Sequence, residues 1–86
     1  MKRLIPDILL SELIARMATA HSRYGDFAST HEALGVALEE WTELIAAIHA
    51  NDLEAIRHEA LDLAAVLVRL ADQLEAGGAI VRRSGK

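Results

Sequence analysis

Three acids crowd the segment Glu39-Glu40-Trp41-Thr42-Glu43, and two more follow at Glu59 and Asp62. If both stretches are helical, Glu40 and Glu43 stand at i and i+3 on one face, and Glu59 and Asp62 have the same separation. Position 51 is the midpoint of 43 and 59 and also of 40 and 62. An antiparallel helical hairpin folded at Asn51-Asp52 therefore sets Glu43 level with Glu59 and Glu40 level with Asp62. The four carboxylates form a square about 12 to 16 Å from the turn, at about 1.5 Å per residue. Four facing carboxylates repel and raise one another's pKa, so the arrangement is explained by a divalent cation at its centre. Ligation by oxygen alone suits a hard ion, Mg²⁺ first and Mn²⁺ second. Ala47 and Ala55, four residues beyond Glu43 and before Glu59, leave room between the backbones. One i,i+3 pair of acids would read as a solvated helix face; two pairs in mirror register read as a site. A di-iron bundle requires Glu three residues before His on two helices, which neither His49 nor His58 has.

The elements that must hold this square are legible from periodicity. Leu9, Leu10, Leu13, Ile14 and Met17 recur at helical spacing behind Pro6-Asp7, which predicts a first helix to about Ala20. The stretch from His21 to Ala28 loses the period and holds Gly25, so it reads as a loop. Ser29 with Glu32 has capping-box spacing and opens a second helix through Leu34, Leu38, Trp41, Ile45 and Ile48. Asn51 stops it, Asp52 caps a third helix from Leu53 to about Glu75, and Gly77-Gly78 ends that one. The expected fold is all-α: a helical hairpin with an N-terminal helix laid against it. Residues 1–76 make one domain and 77–86 a flexible C-terminal tail.

The spacing Glu-Glu-x-x-Glu at 39 to 43, then Glu-x-x-Asp at 59 to 62, resembles the signature of the all-α, MazG-like NTP pyrophosphohydrolases. Arg23-Tyr24-Gly25, His31-Glu32-Ala33 and Ala64-Ala65 with Arg69 extend the likeness to the compact phage and bacterial members over roughly residues 10 to 75. The resemblance implies Mg²⁺ on Glu40, Glu43, Glu59 and Asp62, and hydrolysis of a nucleoside triphosphate to monophosphate and pyrophosphate, often as nucleotide-pool cleaning. Glu39, about 100° from the nearest ligand, is placed to hold a second ion or position water, or else is a plain solvated glutamate. Arg16, His21, Arg23 and Arg69 are the nearest cations for phosphate, and Tyr24, Phe27 or Trp41 offers a flat partner for a base. Trp41 shares the side of Leu38, Ile45 and Ile48, so it reads first as core or interface. Many relatives continue with a further helix where this chain has Gly77-Gly78, leaving Arg82 and Arg83 to complete the nucleotide site, in one reading across a subunit boundary.

Composition narrows the rest. Of 86 residues, 13 are acidic and 9 are Lys or Arg, giving −4, and no Lys or Arg lies between Arg23 and Arg57. That argues against a nucleic-acid binder, which needs clustered cations. Zero cysteines exclude disulfides, zinc thiolates and a thiol nucleophile. Asp7, Glu12 and Arg16 interrupt the apolar N-terminal stretch, so neither a signal nor a membrane span is expected and the chain reads as cytoplasmic. A chain this short hides only about 60 to 65% of its unfolded surface. The second and third helices are apolar over most of their girth, which predicts a homodimer, or a tetramer of dimers, sharing a multi-chain helical bundle. The alternative function is a non-catalytic helical association module that uses the metal as a structural or regulatory clamp.

Overall fold

The computed structural model describes residues 5–77. They form three helices and, among the described residues, no strand: α1 Asp7–Tyr24, α2 Thr30–His49 and α3 Leu53–Glu75. The expected tail beyond Gly77, with Arg82 and Arg83, lies outside the described residues. So do Lys2 and Arg3.

Each boundary has a local cause. Pro6, extended at φ −60° and ψ 147°, precedes α1, and Asp7 places negative charge on its first turn. This helix continues to Tyr24, past the Ala20 expected from the apolar period. Residues 21 to 24 are exposed and carry no apolar stripe, but nothing in them opposes helical dihedrals. The stop is Gly25, whose φ of 72° suits a residue without Cβ and whose N–H donates to the His21 carbonyl at 2.8 Å. The connecting loop shrinks accordingly to residues 25–29.

Ser29 caps α2, its hydroxyl accepting from the Glu32 N–H at 3.1 Å. The Glu32 carboxylate returns the bond to the N–H of Ala28 at 2.6 Å, one residue ahead of the usual capping-box donor. Asn51 turns the chain in the left-handed region at φ 56°, which asparagine tolerates better than most residues. Asp52 then caps α3, accepting from the Ala55 N–H at 3.1 Å.

The middle element is α3: α2 packs along it as the antiparallel hairpin partner, and α1 packs on another side of it. A two-pronged bond from Arg57 to Glu12, at 3.0 and 2.8 Å, ties α3 to α1. The buried cluster is small, formed by Phe27, Ala33 and Val66 with Val36, Ala37 and Leu70 against it. Phe27 is only 5% exposed, so truncating it to Ala would cost about 3 to 5 kcal/mol. No residue of α1 is buried. The apolar stripe of α2 from Leu34 to Ile48 remains about half exposed in the single chain. No helix among the described residues is long and apolar enough to cross a membrane.

Candidate functional site

The hairpin brings the two acidic motifs level. One carboxylate oxygen each from Glu40 and Glu43 on α2 and from Glu59 on α3 lie within 4.8 Å of one another, and a second group joins Glu59 to Asp62 and His58. Glu59 belongs to both, so the five side chains are contiguous. Asp62 is turned toward α1, with its Oδ1 3.4 Å from Arg16 Nε and its Oδ2 3.4 Å from His58 Nε2. Arg16 Nη2 donates to His58 Nδ1 at 2.8 Å. That bond assigns the imidazole proton to Nε2, on the side of Asp62. His58, to which sequence reasoning gave no role, thereby links the arginine to the acids.

Crowding shows in the titration of the acids. Burial, followed by the charges of Glu43, Asp62 and Glu59, pushes Glu40 up to about 7. Glu59 is also raised, first by burial and then by its contact with Glu43 and the charge of Asp62, with His58 opposing. Glu40 Oε1 and Glu59 Oε1 are buried with no hydrogen-bond partner. Two unsatisfied oxygens, from Glu40 and Glu59, with a Glu43 oxygen within 4.8 Å of them, are a donor set that fits a hard divalent cation.

Beside these acids opens a cavity of about 880 Å³ between α1, α2 and the middle of α3, within the range of about 300 to 1,000 Å³ usual for small-molecule sites. Both signs of charge line it, Glu39, Glu40 and Asp62 together with Arg16, Arg23 and Arg69, whereas Glu43 and Glu59 are not part of its wall. Arg16 Nη1 is buried and without a partner. Tyr24 lines the cavity and is 71% exposed, whereas Phe27, also in its wall, is buried. Trp41 and His21 are not part of this wall; His21 instead stands 3.5 Å from Asp26.

The cavity floor is held by an arrangement that periodicity alone did not reveal. The Gln73 carboxamide grips the Phe27 backbone at both ends, its Oε1 accepting from the Phe27 N–H and its Nε2 donating to the Phe27 carbonyl, each at 2.9 Å. Arg69 Nη2 donates to the Gly25 carbonyl at 2.9 Å, and its guanidinium lies 4.5 Å from the Phe27 ring centroid. Phe27 therefore presents Arg69, rather than a bare ring face, toward the cavity. One signal pointed to Gln73: it stands seven residues after Val66 and three after Leu70, a polar residue in the buried stripe of α3.

No family model, characterised protein or solved structure matches this chain.

Proposed function

We propose that the protein is a divalent-metal-dependent nucleoside triphosphate pyrophosphohydrolase of the MazG-like type, acting in the cytoplasm. Water would cleave the α–β phosphoanhydride, giving a nucleoside monophosphate and pyrophosphate. The observation that carries this reading is the mixed lining of the cavity: Glu40, with an unpartnered carboxylate oxygen, and Arg16, with an unpartnered donor, both border it. A bare anion site would not need the acids, and a bare cation site would not need the arginines. A metal-bound polyphosphate uses both.

Glu40, Glu43 and Glu59 would hold Mg²⁺ or Mn²⁺, with Asp62 joining them once released from Arg16. The bound metal would supply charge neutralisation for the triphosphate and a lowered pKa for the attacking water. The remaining work falls to the chain's own side chains. Arg16 has a donor to spare for a phosphate oxygen, and Arg23 stands on the same helix two turns further along. Arg69, anchored on Gly25, contributes fixed positive charge. Glu39 lines the cavity beside Glu40 and is the side chain available to orient water or hold a second ion. Tyr24 offers the base an accessible flat surface.

Pyrophosphate release from a panel of canonical and modified NTPs and dNTPs, with Mg²⁺, tests the reading. Turnover by the wild type is expected, together with its loss in Glu43→Gln and Glu59→Gln while helical circular dichroism is retained. If no triphosphate is turned over although Mg²⁺ raises the melting temperature, the site is a structural or regulatory clamp and the enzyme reading fails.

A further inference from the structure

Of the four acids expected to form a square, Asp62 stands apart. Glu40, Glu43 and Glu59 bring their oxygens together, whereas Asp62 groups with Glu59 and His58. What holds it aside is a cation from another helix. Arg16 of α1 sets its Nε 3.4 Å from Asp62 Oδ1, and His58 sets its Nε2 3.4 Å from Oδ2. Both separations exceed the roughly 2.7 to 3.2 Å of an N–H···O hydrogen bond. The aspartate is therefore held mainly by the arginine's charge, not by short bonds, and is easily released.

The arginine is under-used as a structural tie. Its short bond goes to a neutral acceptor, Nη2 donating to His58 Nδ1 at 2.8 Å, and its Nη1 is buried without a partner. Nor is it needed to dock α1 on α3, because the two-pronged bond from Arg57 to Glu12 already joins those helices one turn away. A buried guanidinium N–H without an acceptor is unfavourable, and a phosphate oxygen suits it better than an imidazole, since a bond between two charged groups is roughly twice as strong as a neutral one. Arg16 lines the large cavity, and so does Arg23, seven residues further along α1. Seven residues are two turns, about 10 Å along the axis. That spacing suits an extended anion rather than a single phosphate.

We propose that Arg16 is a latch on the acidic cluster that a polyphosphate opens. Its guanidinium turns from Asp62 and His58 to phosphate oxygens, and Asp62 is released to Glu40, Glu43 and Glu59. A divalent cation alone meets three carboxylates; with polyphosphate present it meets four. Coupling of this kind is reciprocal, so a cation that captures Asp62 also frees Arg16 for phosphate. The cluster thereby binds cation tightly only in company with the anion. His58 is a positioning residue in this device: it receives the short bond that aims Arg16 at Asp62. The inference rests on the reading of the cavity as a triphosphate site and adds to it how the two halves of the site communicate.

Two measurements without turnover test the latch on the full chain. With all metal chelated, inorganic tripolyphosphate should shift the Arg16 Nε–Hε and the Asp62 side-chain carboxyl resonances together, and in Arg16→Gln the Asp62 carboxyl should no longer respond. In calorimetry with Mn²⁺ alone, Arg16→Gln should bind about tenfold more tightly than wild type, because Asp62 is already free. Arg23→Gln, which removes the same charge from the same cavity, should change that affinity by less than about threefold, as expected of a screened charge. If Arg16→Gln fails to fold, the wild-type resonances decide alone. A tripolyphosphate titration that leaves Arg16 or Asp62 unmoved, or a gain in Mn²⁺ affinity that Arg16→Gln lacks or Arg23→Gln shares, would overturn the proposal. Pyrophosphate release is a separate readout: turnover with a stationary Asp62 removes only the latch, and a responsive Asp62 without turnover removes only the enzyme reading.

Discussion

Removing one negative charge from the acidic cluster should stabilise the metal-free protein, and the gain should depend on pH in a way that identifies its source. Glu40 titrates at about 7 in the fold against 4.5 ordinarily. Below 4.5 both folded and unfolded chains hold the proton, and no penalty exists. Between 4.5 and about 7 the folded chain binds more protons than the unfolded one, so stability falls as pH rises, and above about 7 the loss is complete. A shift of this size corresponds to about 3 kcal/mol at full value. Glu40 is partly open to the cavity, and solvent screening reduces this to about 1 to 2 kcal/mol. In a domain this small each kcal/mol moves the melting temperature by about 4 to 8 °C. Metal-free wild type should therefore melt roughly 5 to 15 °C lower at pH 8 than at pH 5, at constant protein concentration. Glu40→Gln should lose a large part of that slope, because glutamine has no proton to release, while Glu59, raised in the same direction, keeps a share. The Glu12 carboxyl, held below its ordinary value by the Arg57 guanidinium, contributes with the opposite sign but only below pH 4.5, outside this window. Adding Mg²⁺ should flatten or invert the wild-type slope, since binding requires the deprotonated carboxylates. Equal slopes for wild type and Glu40→Gln in calorimetry would refute the reasoning, because the crowding would then carry no free energy.

Two other perturbations follow from the supports of the site. Gln73→Ala leaves the buried N–H and carbonyl of Phe27 without partners, which should cost about 2 to 4 kcal/mol in urea unfolding; a loss below about 0.5 kcal/mol would mean that the loop is held by packing alone. Asp52→Ala removes the cap of α3 and should cost about 1 kcal/mol by the same measurement, with unchanged stability showing that the Asn51 turn suffices to start the helix.

The sequence disclosed what depends on periodicity and hid what depends on side-chain choice. Helix spacing and the turn at Asn51-Asp52 were enough to predict that Glu43 meets Glu59, because register in an antiparallel hairpin follows from counting outward from the turn. Counting says nothing about which way Asp62 swings, and it turns to Arg16 on α1 and to His58 one turn back on its own helix. The end of α1 differs from its apolar period for a related reason: the period reports burial, and residues 21 to 24 are helical without being buried. Gln73 was passed over because a glutamine near a helix end ordinarily reads as solvated. Its role depends on Phe27, 46 residues away in sequence, and no local pattern encodes that contact.

The two sides of the hairpin constrain each other. On α2, acids at 39, 40 and 43 occupy one arc, so the apolar residues that would complete a single core are displaced onto another. An isolated chain cannot cover both, and its core is accordingly reduced to a few residues around Phe27 and Val66. Moving the acids elsewhere would allow a fuller core but would disperse the charge that the cavity needs. A cluster that destabilises the free chain can be kept only if its cost is offset elsewhere, and two sources would serve: a cation held by the acids, and burial of the exposed apolar residues of α2. The two are separable by experiment, since Glu40→Gln removes the cost of the acids without touching the apolar stripe, and Leu38→Glu with Ile45→Glu does the reverse. If the stability gained in the first and lost in the second add independently when combined, the faces act through the shared helix α2 without coupling. A deviation above about 0.5 kcal/mol would show that the apolar stripe tunes the acidic cluster.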